Sequence, residues 1–211
     1  YLAIRRGPMA QPTSGTQVYT GALASSSGNY TAVAGFPVDL CFYGGRTGAV
    51  KWTWFDRLRG NPYLKSETTG AEAASSGDFT SMTSFSVTAS GDNSNYMNFM
   101  FRRYPGVFDE VAYTGTGSAT TIAHSLGVVP ELVIIKSRGQ AINWVVGMPQ
   151  TTTDNLNLNL TNGWQANAFF PSGTTASVFS LSSGLGVNTN TDTYVAYLFA
   201  TKAGVSKVFS Y

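Results

Sequence analysis

Chemistry needs side chains that move protons, attack carbonyls or hold metals, and this chain is thinly supplied with them. Its 211 residues include one histidine, one cysteine and 11 acidic side chains. His124 stands in Ala123-His124-Ser125-Leu126, and a Ser-His-Asp site would need a nucleophile beside it. No Gly-x-Ser-x-Gly turn occurs in the sequence, so a hydrogen bond within a loop is its expected role. Two carboxylates facing a sugar could hydrolyse a glycosidic bond. Asp39, Asp56, Glu67, Glu72, Asp78 and the adjacent Asp109-Glu110 are available, but no local signature frames any of them. Asp56, in Trp54-Phe55-Asp56-Arg57-Leu58-Arg59, has a sufficient structural role in pairing with Arg57 or Arg59. Gly44-Gly45-Arg46-Thr47-Gly48 lacks the Gly-Lys-Ser/Thr ending of a phosphate loop and reads as a hairpin turn. Asp92-Asn93-Ser94-Asn95 and Asn188-Thr189-Asn190-Thr191-Asp192 offer oxygen ligands for calcium, yet turn chemistry before a strand accounts for both. Cys41 lies in the apolar run 38–43 and reads as a small buried hydrophobe. The sequence therefore predicts no catalytic residue, no metal site and no cofactor.

Aromatic side chains are the remaining candidates, because rings can stack on sugars or anchor a partner chain. Trp52 and Trp144 recur at matching places in the chain, which suits core anchors. Trp54, Tyr63 and Trp164 have polar, Gly- and Asn-rich surroundings and are the predicted exposed contacts.

Something must position these residues, and composition limits what it can be. Charged residues make up 11%, hydrophobic residues 43% and aromatics 13%, with 23 glycines. That excludes disorder, which pairs low hydrophobicity with high charge. It also disfavours helices, since Gly, Ser and Thr suit turns and strand faces. The net charge of +2 is scattered, with only the doublets Arg5-Arg6 and Arg102-Arg103, so nucleic acid is not an expected partner. No run approaches the roughly 18 apolar residues that span a bilayer as a helix, so membrane insertion is not expected. The chain opens on Tyr1-Leu2-Ala3-Ile4, which reads like mid-strand, and a piece of a longer polypeptide is expected.

The sequence also repeats itself at about 95 residues. Gly35-Phe36-Pro37 with an apolar run returns as Gly127-Val128-Val129-Pro130 with another. Phe85-Ser86-Val87 returns as Phe179-Ser180-Leu181, and Gly106-Val107 to Tyr113 returns as Gly204-Val205 to Tyr211. The local pattern is that of strands. Residues 156–160 alternate Leu and Asn, while 132–135 and 194–199 are continuous apolar runs, as for strands covered on both faces. The short stretches 56–59 and 67–74 are expected to be turns. The prediction is an all-β chain of two tandem antiparallel β-sandwich units, jelly-roll-like, over residues 18–112 and 113–211. Residues 1–17 would finish a preceding unit. Edge strands would be covered by neighbouring units or other copies.

Tyr1-Leu2-Ala3-Ile4-Arg5-Arg6-Gly7-Pro8, Trp54-Phe55-Asp56-Arg57-Leu58-Arg59-Gly60, Phe101-Arg102-Arg103, Val111-Ala112-Tyr113-Thr114-Gly115-Thr116-Gly117, His124-Ser125-Leu126-Gly127-Val128-Val129-Pro130-Glu131-Leu132 and Tyr194-Val195-Ala196-Tyr197-Leu198-Phe199-Ala200 carry a wider likeness. As an ensemble they resemble a repeated β-domain of bacteriophage tail-fibre-type virion structural proteins. The likeness covers essentially the whole chain and supplies no catalytic residues. It implies a place on the virion, on the tail, and a role in host contact or fibre building. The expected partners are other copies of the chain, other virion proteins and a host-surface glycan or protein. Capsid decoration or a head fibre is the alternative within that class. A carbohydrate-binding module or glycan depolymerase is the alternative outside it.

Overall fold

The computed structural model describes residues 11–24, 28–47, 51–75, 77–87 and 95–209. Strands form where aromatic and β-branched residues run between Gly, Ser and Asn clusters. The first half contributes β1 (Tyr19–Leu23), β2 (Tyr30–Val33), β3 (Leu40–Gly45), β4 (Thr53–Asp56), β5 (Leu64–Lys65), β6 (Gly77–Asp78), β7 (Ser84–Val87) and β8 (Tyr96–Phe101). The second contributes β9 (Phe108–Thr114), β10 (Thr120–Ala123), β11 (Leu132–Ser137), β12 (Val145–Gly147), β13 (Asn155–Asn157), β14 (Val178–Leu181) and β15 (Thr193–Phe199). All the strand pairings are antiparallel, and no α-helix occurs among the described residues. The chain is all-β, as its composition predicts.

Two five-stranded sheets dominate, ordered β1-β8-β3-β4-β5 and β9-β15-β11-β12-β13. Position by position, the second order is the first transposed into the other half. The smaller sheets correspond too, as β2-β7-β6 and β10-β14. Register sharpens the match. Leu40 lies opposite both Phe101 and Asp56, and Leu132 lies opposite Phe199. Tyr19 pairs with Phe101 as Phe108 pairs with Phe199. Strand β9 runs straight through the boundary expected between residues 112 and 113. All seven of its residues pair with β15, so the second sheet begins at Phe108.

Four layers result. The two large sheets pack face to face, and each outer face is covered by one small sheet. Strand alternation explains the division. Leu40 and Phe42 of β3 face the core between the large sheets, while Cys41 and Tyr43 face the outer core with Phe55, Phe85 and Met100. In β15, Val195 and Tyr197 face the middle, while Tyr194, Ala196 and Leu198 join Val133, Ile135 and Phe179 on the other outer side. Both faces of β11 and β15 are therefore covered, which is why their sequences are unbroken apolar runs. The alternating run 156–160 behaves differently. Only Asn155–Asn157 is strand, and the chain then turns, leaving Leu158 and Leu160 exposed, because β13 is an edge with no sheet above its far end. Residues 57–59 and 66–67 are turns, whereas Asp56 ends β4 and 69–74 is an irregular segment in which Ala73 bridges Tyr63.

Candidate functional site

The three aromatic residues singled out by sequence lie apart. Trp54 is not an exposed contact. It is buried in the central core, stacked on Phe42 at 4.5 Å and tilted against Trp144 at 5.2 Å and Tyr197 at 5.3 Å. Its polar neighbours are no sign of exposure: Thr53, Trp54, Phe55 and Asp56 are all buried, because β4 is covered on both faces. Tyr63 is half-buried against the outer core, with the Lys65 ammonium 5.2 Å from its ring centre. Trp164 is exposed. Trp144 is fully buried, its indole N–H donating to the carbonyl of Lys65 at 2.9 Å, whereas its register counterpart Trp52 is half-buried.

The densest chemistry sits between the large sheets. Asp56, at the end of β4, accepts from the Arg59 guanidinium and backbone N–H and from the Tyr197 hydroxyl at 2.7 Å. The same guanidinium donates to the Trp54 carbonyl and to Tyr197. Burial works against the Arg59 charge, and the Tyr197 oxygen and Asp56 carboxylate outweigh it. Glu72 extends the network, 3.6 Å from Arg59 and paired side-on by Arg138 of the other half through two contacts of 2.9 Å. Arg57, the other partner considered for Asp56, instead donates to the carbonyls of Val38, Ser81 and Met82.

Glu110 projects from β9 into this region with 1% exposure, and neither carboxylate oxygen has a hydrogen-bond partner among the described residues. Burial, reinforced by the nearby Asp56 and Asp39 carboxylates, pushes its pKa well above the ordinary range; Arg103 and Arg59 only partly offset this. Lys136 is also fully buried. Its ammonium donates to the carbonyls of Ser137 and Gln140, and desolvation lowers its pKa to about 8. Sequence reasoning raised Glu110 only as a hydrolytic candidate and passed over Tyr197 and Lys136. The available signal was a charged residue at an inward position of a strand-like run.

The other candidates are occupied structurally. The His124 Nδ1 accepts from the Leu126 N–H, so its proton sits on Nε2, 3.3 Å from the Thr175 carbonyl. Burial lowers its pKa. Asp109, nearby, is spent on Arg103 and on the Ser125 N–H. Asn188 accepts from the Thr116 N–H and donates to the Ser118 and Ser182 carbonyls, while Asp192 accepts from the Ser137 hydroxyl and the Thr193 N–H. The matching candidate at 92–95 lies outside the described residues except for Asn95, as does Gly48 of the glycine loop. Cys41 is buried, and burial raises its thiol pKa. No group of three or more His, Cys, Asp or Glu side chains is placed to hold a metal among the described residues.

An open cleft of about 340 Å³ lies where the 69 segment of the first half meets the second half. Asn143, Asn157 and Asn167 line it with Phe169 and Leu185.

Residues 103–211 match the model of a protein family described as Domain of unknown function (DUF7483), a span of just over half of the 211 residues. The matched span starts in the loop before β9 and takes in every strand of the second half. No curated protein and no solved structure matches the chain.

Proposed function

We propose that this chain, which belongs to the DUF7483 family, is a non-enzymatic structural module of a bacteriophage virion, part of a tail fibre or tail-tip appendage. Its work is to hold shape and present a surface to the host. One observation carries the reading. Asp56, Arg59, Glu110 and Tyr197, the groups with the greatest chemical capacity, are sealed between two sheets at 0–8% exposure, and the Tyr197 hydroxyl fastens its half to Asp56 and Arg59 of the other. A buried ionic cluster of this kind fixes register and does not meet substrate. The two halves are a duplicated β-unit joined back to back, an economical way to build a stiff, disulfide-free body for use outside a cell. Low surface charge lets copies lie against one another with little repulsion. Several weak contacts per particle then add up through multivalency.

Labelling intact particles with antibody against this chain and imaging them tests the reading. Label on the tail supports it. Label on the head replaces the tail assignment with capsid decoration, and no label on any particle overturns the virion assignment. Incubation with host-surface glycans tests the non-enzymatic part, which released oligosaccharide would overturn.

A further inference from the structure

We propose that the cleft shared by the two halves binds a neutral saccharide. Three observations converge on it. The first is the lining, which contains no charged side chain and presents three carboxamides, Asn143, Asn157 and Asn167, with the Thr69 hydroxyl. A ligand held there by charge has nothing to pair with, and a carboxylate- or sulfate-bearing one would leave its charge unanswered.

The second is unspent hydrogen-bonding capacity. Neither the Asn157 carboxamide nor the Thr69 hydroxyl bonds to any described residue. Asn143 uses its oxygen, accepting from Asn159, and keeps its amide N–H groups. Asn167 donates once to Asn155 and keeps its oxygen. Donors and acceptors of neutral type therefore surround one space, which matches the alternating donors and acceptors of vicinal hydroxyls.

The third is a fixed aromatic wall. Phe170 is buried in the outer core over Gly147, and its neighbour Phe169 is half-buried against the same core. The Phe169 ring lies against Gly184, where a Cβ would collide with it, and the Ser182 N–H donates to the Phe169 carbonyl. A ring set in place before binding offers the apolar C–H face of a sugar a surface at little ordering cost. The cleft also depends on the docked halves. Thr69 is brought to it by the segment that the Glu72–Arg138 pair and the Glu72 N–H to Arg138 carbonyl bond hold in place.

Saturation-transfer NMR and titration of the full chain test this, with neutral hexose and N-acetylhexosamine tetrasaccharides beside sialylated and uronate-bearing ones. Neutral probes should bind in the micromolar to millimolar range and shift the side-chain amide signals of Asn143, Asn157 and Asn167. Asn157→Ala and Asn157→Asp should each weaken binding about tenfold, while Trp164→Ala should leave it unchanged. The idea is overturned by no neutral binding at millimolar concentration, by preference for the acidic probes, or by shifts confined to residues outside the cleft. Affinity lost with Trp164→Ala but kept with the Asn157 variants overturns it equally. The inference rests on the lining and not on the virion reading: failed binding leaves the particle location standing, and an unexpected location leaves the cleft standing.

Discussion

The two halves fill the same space from opposite sides. Phe55 in β4 and Gly147 in β12 hold one register position, facing Cys41 and Val133 respectively. In the first half the large sheet supplies the ring, and the covering sheet makes room with Gly77, where a Cβ would come within 2.7 Å of Phe55. In the second half the large sheet supplies the gap at Gly147, and the covering segment inserts Phe170, whose ring would collide with a Cβ there. The ring stands in the sheet in one half and in the cover in the other, under the same strand order. Packing volume is thus conserved across layers, not along a strand. This explains why Trp54-Phe55-Asp56-Arg57 has no recognisable counterpart in the second half although the strand that carries it does.

The central core offers the sharpest way to break that comparison. Trp54 and Trp144 meet there from opposite halves, so Trp54→Ala and Trp144→Ala should each cost about 3–5 kcal/mol in denaturant unfolding. A near-zero cost at Trp54 would put it back on the surface. Next come the two glycines. Gly77→Ala and Gly147→Ala should each destabilise by about 1–3 kcal/mol, and Phe170→Leu should relieve the second but not the first. Loss at only one glycine would end the claim that the halves exchange volume.

A smaller effect belongs to Glu110. In the folded chain it keeps its proton to a higher pH than when unfolded, so the folded state holds more protons above the ordinary value of 4.5. Its contribution is therefore whole below that pH and is lost as pH rises toward the raised value. Glu110→Gln should gain stability relative to the parent from pH 4.5 upward, by at most about 1.4 kcal/mol per pH unit. Lys136 acts in the opposite direction only above pH about 8, and the lowered His124 does so below 6.5, so Glu110 is read from the difference between variant and parent and not from the parent's pH profile alone. A pH-independent difference would mean that Glu110 is ionised in the fold. Trp164→Ala should shift stability by less than about 0.5 kcal/mol.

Much of the architecture was legible because it is written in periodicity. The apolar runs at 132–135 and 194–199 announce strands covered on both faces, and the glycine and asparagine clusters mark the turns. The face-to-face docking was not legible, since a strand buried against a cover and one buried against a second large sheet look alike. For the same reason Trp54 looked exposed: its neighbours Asp56 and Arg59 read as surface polarity until Tyr197, far away in sequence, closed the network. The amide-lined cleft was equally hidden. Asn143, Asn157 and Asn167 are spread over three segments, and nothing local distinguishes them from turn residues.

Calorimetric unfolding of the full chain tests most directly whether the large sheets are fastened into one body. A central core drawing Leu40, Trp54 and Leu64 from one half and Trp144, Val195 and Tyr197 from the other couples the two cooperatively. The expected result is a single transition whose calorimetric and van't Hoff enthalpies agree, and which Trp144→Ala moves as a whole. Two resolved transitions, with Trp144→Ala shifting only one, would contradict it.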